Sequence, residues 1–119
     1  MADDLVSALR RNLFEVFGNP DGESRRAAIE ELYTPDCVCI DDNGRQSGLD
    51  GVERIVVGLQ KAMPGFEFKE VGHTQALADA GRLSWTYGPP GQPPVVTGQD
   101  LALFRDGRIA VLYTFIDAA

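Results

Sequence analysis

An α+β domain, with its helices on one face of a strongly curved antiparallel sheet, is the fold class this sequence predicts, and three observations predict it. Apolar residues recur at three- and four-residue steps in the first half of the chain. The period changes to two from Phe66 onward, and Asp106-Gly107 stands between two apolar arms as a hairpin turn. Helices that precede a run of strands, instead of alternating with them, segregate to one side of the sheet. With 119 residues, 44% of them hydrophobic, the chain is read as one domain, residues 1–119, with enough apolar side chains for a core.

Leu5, Val6, Leu9, Leu13, Val16 and Phe17 form one apolar stripe, with Arg10, Arg11, Asn12 and Glu15 on the remaining surface, and they predict a first helix that the turn formers Gly18 to Gly22 stop. A second, shorter helix is predicted from Glu23 to Tyr33, with Ala28, Ile29, Leu32 and Tyr33 buried; Thr34-Pro35-Asp36 ends it. Cys37 to Asp41 reads as a strand with Cys37, Cys39 and Asp41 on one face, and Asp42-Asn43-Gly44 turns it into a short return from Arg45 to Gly48. A third helix follows, with Asp50 and Glu53 as its capping box and Val52, Ile55, Val56, Leu59 and Met63 as its stripe, closed by Pro64-Gly65.

Phe66 and Phe68 open the next strand, which is expected to bulge near Gly72 and to continue through Gln75 to Ala78. Asp79-Ala80-Gly81 turns into a strand carrying Leu83, Trp85 and Tyr87, and the proline-rich stretch Gly88 to Pro94 is a stiff exposed loop. The final hairpin runs through Val95, Val96, Leu101, Leu103 and Phe104, then Ile109 to Ile116. Strict alternation places Ile109, Val111, Tyr113 and Phe115 on one face of its second arm and Ala110, Leu112, Thr114 and Ile116 on the other. Both faces are apolar, so the strand is expected to be covered twice: by its own interior, and by a second subunit on Leu101, Leu103, Val111, Tyr113 and Phe115. The predicted order is α-α-β-β-α-β-β-β-β, a cone whose sheet wraps the third helix and leaves an apolar central pocket for a small hydrophobic molecule.

Charge narrows the partners. A net charge of -7 and a pI near 4.5 leave no basic stripe to displace counterions from phosphates, so neither nucleic acid nor an acidic membrane surface is expected as a partner. Met1-Ala2-Asp3-Asp4 lacks the basic and apolar regions of a signal peptide, and no window approaches a membrane span of roughly 20 apolar residues, which reads as a cytoplasmic protein. Cys37 and Cys39 are too close along one strand face to bridge each other, and with His73 as the one histidine they assemble no zinc-type ligand set. Neither metal nor cofactor is expected.

One residue breaks the strand pattern. Asp100 sits mid-strand in the final hairpin, where a carboxylate is disfavoured by propensity and costs several kcal/mol if buried without a partner. It reads either as a carboxyl desolvated in a pocket among Trp85, Val96, Ala102, Phe104 and Leu112, or as one paired with Arg82 or Arg105 at a solvated margin. Asp41 reads either as a general base or as the acid of a hairpin turn. Leu13, Phe17, Ile55, Val56, Leu59, Met63, Phe68, Trp85, Leu112 and Thr114 are the candidate pocket lining.

The element order, with Leu32-Tyr33-Thr34-Pro35-Asp36 entering a strand and the run from Asp100 to Ile109 near the end, resembles the nuclear transport factor 2-like superfamily, whose sheet is of the cystatin-like curved kind. Within it, the chain is most similar to the SnoaL-like proteins and ketosteroid isomerases, and the resemblance spans nearly the whole chain. It implies a catalytic base at Asp41, ahead of Ser47-Gly48, and at Asp100 an acid kept protonated to donate to a developing oxyanion. The tyrosine that the isomerases carry on their first helix is replaced by Leu13, beside Phe14. The polyketide cyclases carry an acid where this chain has Thr114 and a histidine where it has Asp100; the resemblance implies an isomerase- or cyclase-like enzyme using Asp41 and Asp100, or a homodimeric binding protein that performs no catalysis.

Overall fold

The computed structural model describes residues 2–118; Met1 and Ala119, the two ends of the expected domain, lie outside the described residues. Helix α1, Ala2–Arg11, runs directly into a π-helical turn, Asn12–Phe17. Then come α2 (Gly22–Leu32), β1 (Tyr33–Asp41), β2 (Gly44–Ser47) and α3 (Gly48–Ala62). Four longer strands complete the chain: β3 (Glu67–Leu77), β4 (Ala80–Gly88), β5 (Val96–Arg105) and β6 (Arg108–Ala118). The strands form one open curved sheet in the order β2-β1-β6-β5-β4-β3, and the helices cover its concave side.

One pair departs from the expected antiparallel pattern. β1 runs parallel to β6, with Val38 opposite Val111, Cys39 opposite Leu112 and Ile40 opposite Tyr113. A parallel pair needs a long connection, and everything from β2 to β5 supplies it here, so the last strand ends in the middle of the sheet beside the first. The core joins Leu9, Leu13, Val16 and Ile29 of the helical layer to Val52 and Val56 of α3 and to Leu83, Ala102, Ile109 and Leu112 of the sheet.

Four local expectations are corrected. Tyr33 opens β1 instead of closing α2, since Thr34 precedes Pro35 and is held out of the helical region. Asp50 does not cap α3: its carboxylate bonds the Arg26 guanidinium at 2.8 Å, Glu53 takes Arg25 at 2.6 Å, and Ser47 stands at the N-cap without a side-chain bond. A charge-assisted bond to arginine outcompetes a bond to a backbone amide. Asn12, assigned to the polar side, is fully buried and accepts from the Tyr33 hydroxyl at 2.6 Å. The wider turn, marked by the bond from Gly18 N to Leu13 O at 2.8 Å, spends one extra residue and rotates Asn12 inward.

The fourth correction concerns the outer face. Pairing shifts between Leu103 opposite Val111 and Phe104 opposite Ile109, which makes Ala110 the extra residue of a bulge. Ile109 therefore turns into the core, fully buried, while Val111, Tyr113 and Phe115 stay on the convex side. The bulge expected near Gly72 is present, with the β3–β4 register shifting between Val71 and Gln75 and Gly72 at φ +69°.

Candidate functional site

The concave face of β5 carries Gly98, Asp100, Ala102 and Phe104 in alternation, all buried. Asp100 lies opposite Leu83 on β4 and Thr114 on β6, so a carboxyl sits in the middle of an otherwise apolar floor. Trp85 Nε1 donates to Asp100 Oδ1 at 3.1 Å, and Thr114 Oγ1 donates to the same oxygen at 3.3 Å. The indole can reach across because its partner on β5 is Gly98; a Cβ there would stand 2.6 Å from the ring. Gly98 thus sets the geometry of the acid two residues away.

Neither arginine offered as a partner from sequence reaches Asp100. Arg82 donates to Gln75 and Arg105 pairs with Asp36, both on the exposed surface. With two neutral donors and 5% exposure, desolvation pushes the Asp100 carboxyl up from 3.8 to about 6, while the bonds from Trp85 and Thr114 pull the other way.

Above this floor lies a cavity of about 330 Å³. Leu13 and Phe17 of the π turn, Ile55 and Leu59 of α3 and Met63 just after it form its roof; Phe68, Trp85, Tyr87, Val96, Leu112, Thr114 and Ile116 form its walls. Cys39, Ile40 and Asp41 of β1, with Asp42 and Asn43 in the turn after it, complete the lining. Ile55 and Leu59 are four residues apart on one stripe of α3, and Met63 follows at its C-terminal end. Val56, placed in the lining by its apolar character alone, is rotated about 100° from Ile55 and packs, fully buried, into the core instead.

Asp41 and Asp100 therefore border the same cavity in different settings. Asp41 is partly exposed, and its Oδ1 accepts from Asn43 N at 2.8 Å, the bond of an Asx turn that shapes the hairpin. Cys39, on the same face of β1, has its thiol pushed up by burial to about 12, which removes it as a nucleophile near neutral pH.

This arrangement has known counterparts. Residues 11–112 match the model of the SnoaL-like domain. The chain belongs to the SnoaL-like family. Its fold is that of a candidate SnoaL-like isomerase from Agrobacterium tumefaciens strain C58, with a TM-score of 0.89 and 20% identity over 98% of this chain and 99% of that one. A candidate SnoaL-like polyketide cyclase from Jannaschia sp. CCS1 superposes with a TM-score of 0.81 at 21% identity, covering 98% of this chain and 87% of that one. A candidate ketosteroid isomerase from Kribbella flavida gives 0.75 at 14% identity, over 99% of this chain and 81% of that one. A comparison with curated proteins finds no match. Among the described residues no helix is long and apolar enough to cross a membrane.

Within this SnoaL-like frame the tyrosines can be placed. Tyr33 is tied to Asn12 in the core and Tyr113 lies on the convex face, so neither stands on the cavity wall, whereas Tyr87 does. The alternation of β4 that buries Tyr87 is also what brings it to the wall. It stacks on Phe68 at a centroid distance of 4.1 Å, and Phe68 meets Trp85 edge-on at 5.3 Å. No period or motif distinguishes a wall aromatic from a core one.

Proposed function

We propose that this SnoaL-like protein binds a small, largely apolar molecule in the cavity and moves a proton on it without a cofactor, with Asp41 as base and Asp100 as acid on a ketone. The observation that carries the reading is Asp100, a buried carboxyl on the wall of an apolar cavity, with its proton affinity raised to about 6 and its Oδ1 oriented by Trp85 and Thr114. Up to about pH 6 this buried group holds its proton and can donate to the oxygen of an enolate as it forms, and above that it is a carboxylate. The base must be able to reach a carbon α to the carbonyl, and Asp41 at the cavity edge is partly exposed and within the same lining. Binding occurs in a homodimer formed through Leu101, Leu103, Val111, Tyr113 and Phe115; Leu103 and Phe115 are exposed at 36% and 52% in the single chain. The unbridged cysteines, Cys37 and Cys39, fit a reducing cytoplasm.

A second reading, a homodimeric binding protein without catalysis, is favoured by two observations. Asp41 Oδ1 is already used by the turn, and the π turn lines the cavity with Leu13 instead of a hydroxyl donor. Deuterium exchange separates the two. A hydrophobic ketone such as 2-decalone, incubated in deuterated buffer and followed by proton NMR, is expected to lose its α-proton signals faster with the protein than without. Asp41→Asn should reduce that excess by about 100-fold or more. Binding without any excess exchange would leave the non-catalytic reading.

A further inference from the structure

We infer that the cavity prefers a ligand with an apolar body and one protonated amine, the ammonium standing against Asp100. This rests on the proposal that the cavity is a ligand site, though not on the isomerase chemistry. Its basis is a missing counter-charge. A buried carboxylate is normally paired with a cation or coordinates one, because desolvation of an unpaired charge is costly. Asp100 is 95% hidden from solvent, yet both of its bonds come from neutral donors, an indole N–H and a threonine hydroxyl. The two arginines read from sequence as its candidate partners, Arg82 and Arg105, are engaged with Gln75 and Asp36 on the surface.

The lining adds the same sign. Asp41 and Asp42 also border the cavity, whereas no arginine, lysine or histidine does among the described residues. An entering anion would meet carboxylates and no cation; an ammonium would supply the partner the chain withholds. The aromatic faces agree, since Phe68, Trp85 and Tyr87 form a contiguous cluster beside Asp100, and such rings attract a desolvated cation through their negative faces. About 330 Å³ accommodates a compact polycyclic body but little more.

Three probes with one body separate charge from shape: 1-aminoadamantane, 1-adamantanol and adamantane-1-carboxylate. Trp85 is the chain's one tryptophan and lines the cavity, so its fluorescence reports binding at this site. At pH 7.5 the amine should bind about tenfold or more tightly than the alcohol, and the carboxylate more weakly than either, a tenfold step being about 1.4 kcal/mol. In Asp100→Asn the ratio of amine to alcohol affinity should fall below about twofold. If the alcohol binds as well as the amine, the cavity remains a ligand site and the charge preference is wrong. A carboxylate that binds most tightly overturns it as well, and so does an amine advantage that survives in Asp100→Asn. Failure of all three probes to bind overturns both this inference and the proposed site.

Discussion

Asp100→Asn is expected to gain stability over the wild type as pH rises, the difference growing by roughly 3 kcal/mol between pH 3 and pH 7. The sign follows from the two states of the acid. In the unfolded chain the carboxyl loses its proton near its ordinary value of 3.8; in the folded chain burial holds the proton until about 6. Well below pH 3.8 both states are protonated and the acid costs nothing extra. Between pH 4 and 6 the unfolded state ionises first, and folding stability falls. Asparagine does not titrate, can accept from Trp85 and Thr114 as the acid does, and so escapes that loss. Urea unfolding of both proteins at several pH values measures the difference, in which the titration of all other carboxylates cancels. A difference that stays flat, or that reverses in sign, would mean that Asp100 is ionised and stabilised in the folded protein.

Replacing Val111 and Phe115 together by glutamate is expected to abolish the proposed homodimer. The convex face of β5 and β6 carries Leu101, Leu103, Val111, Tyr113 and Phe115, with the Tyr113 and Phe115 rings stacked at 6.3 Å. Each fully buried aliphatic or aromatic side chain is worth roughly 1.5 to 3 kcal/mol, so covering this patch provides ample driving force. Across a two-fold axis the same patch meets itself, and two glutamates per chain would bring four carboxylates into one buried surface. Sedimentation velocity at micromolar concentration should show a wild-type dimer and a variant monomer or aggregate. A wild-type monomer contradicts the proposal, and so does a doubly substituted protein that still sediments as a dimer.

Much of this architecture was legible because period and turn chemistry act locally. The stripe from Leu5 to Phe17, the Asp106-Gly107 turn and the alternation of Leu83, Trp85 and Tyr87 each specify an element without reference to the rest of the chain. What the sequence hid depends on partners far away. The π turn that buries Asn12 is matched to Tyr33, twenty-one residues on, and the α3 acids go to arginines of α2 instead of to their own helix end. A bulge at Ala110 shifts one residue and sends Ile109 to the opposite face from strict alternation.

Asp100 was legible as an anomaly, since an acid in mid-strand contradicts its neighbours. Its partners were not: Trp85 reaches it only because Gly98 leaves space, and a glycine in a strand has no single reading. The separation of Ile55 from Val56 likewise depends on how α3 is rotated over the sheet, which apolar character alone does not fix.

The central claim is that the space between α3 and the sheet is where a small apolar molecule binds, against Asp100. Two reporters sit on its wall, the Trp85 indole N–H and the Met63 methyl, and each gives an isolated NMR signal in a chain with one tryptophan and two methionines. Titration with 2-decalone should shift both signals along one saturation curve while the His73 ring signals, from an exposed residue of β3, stay in place. Signals from Trp85 and Met63 that do not move at saturating ketone would contradict the account.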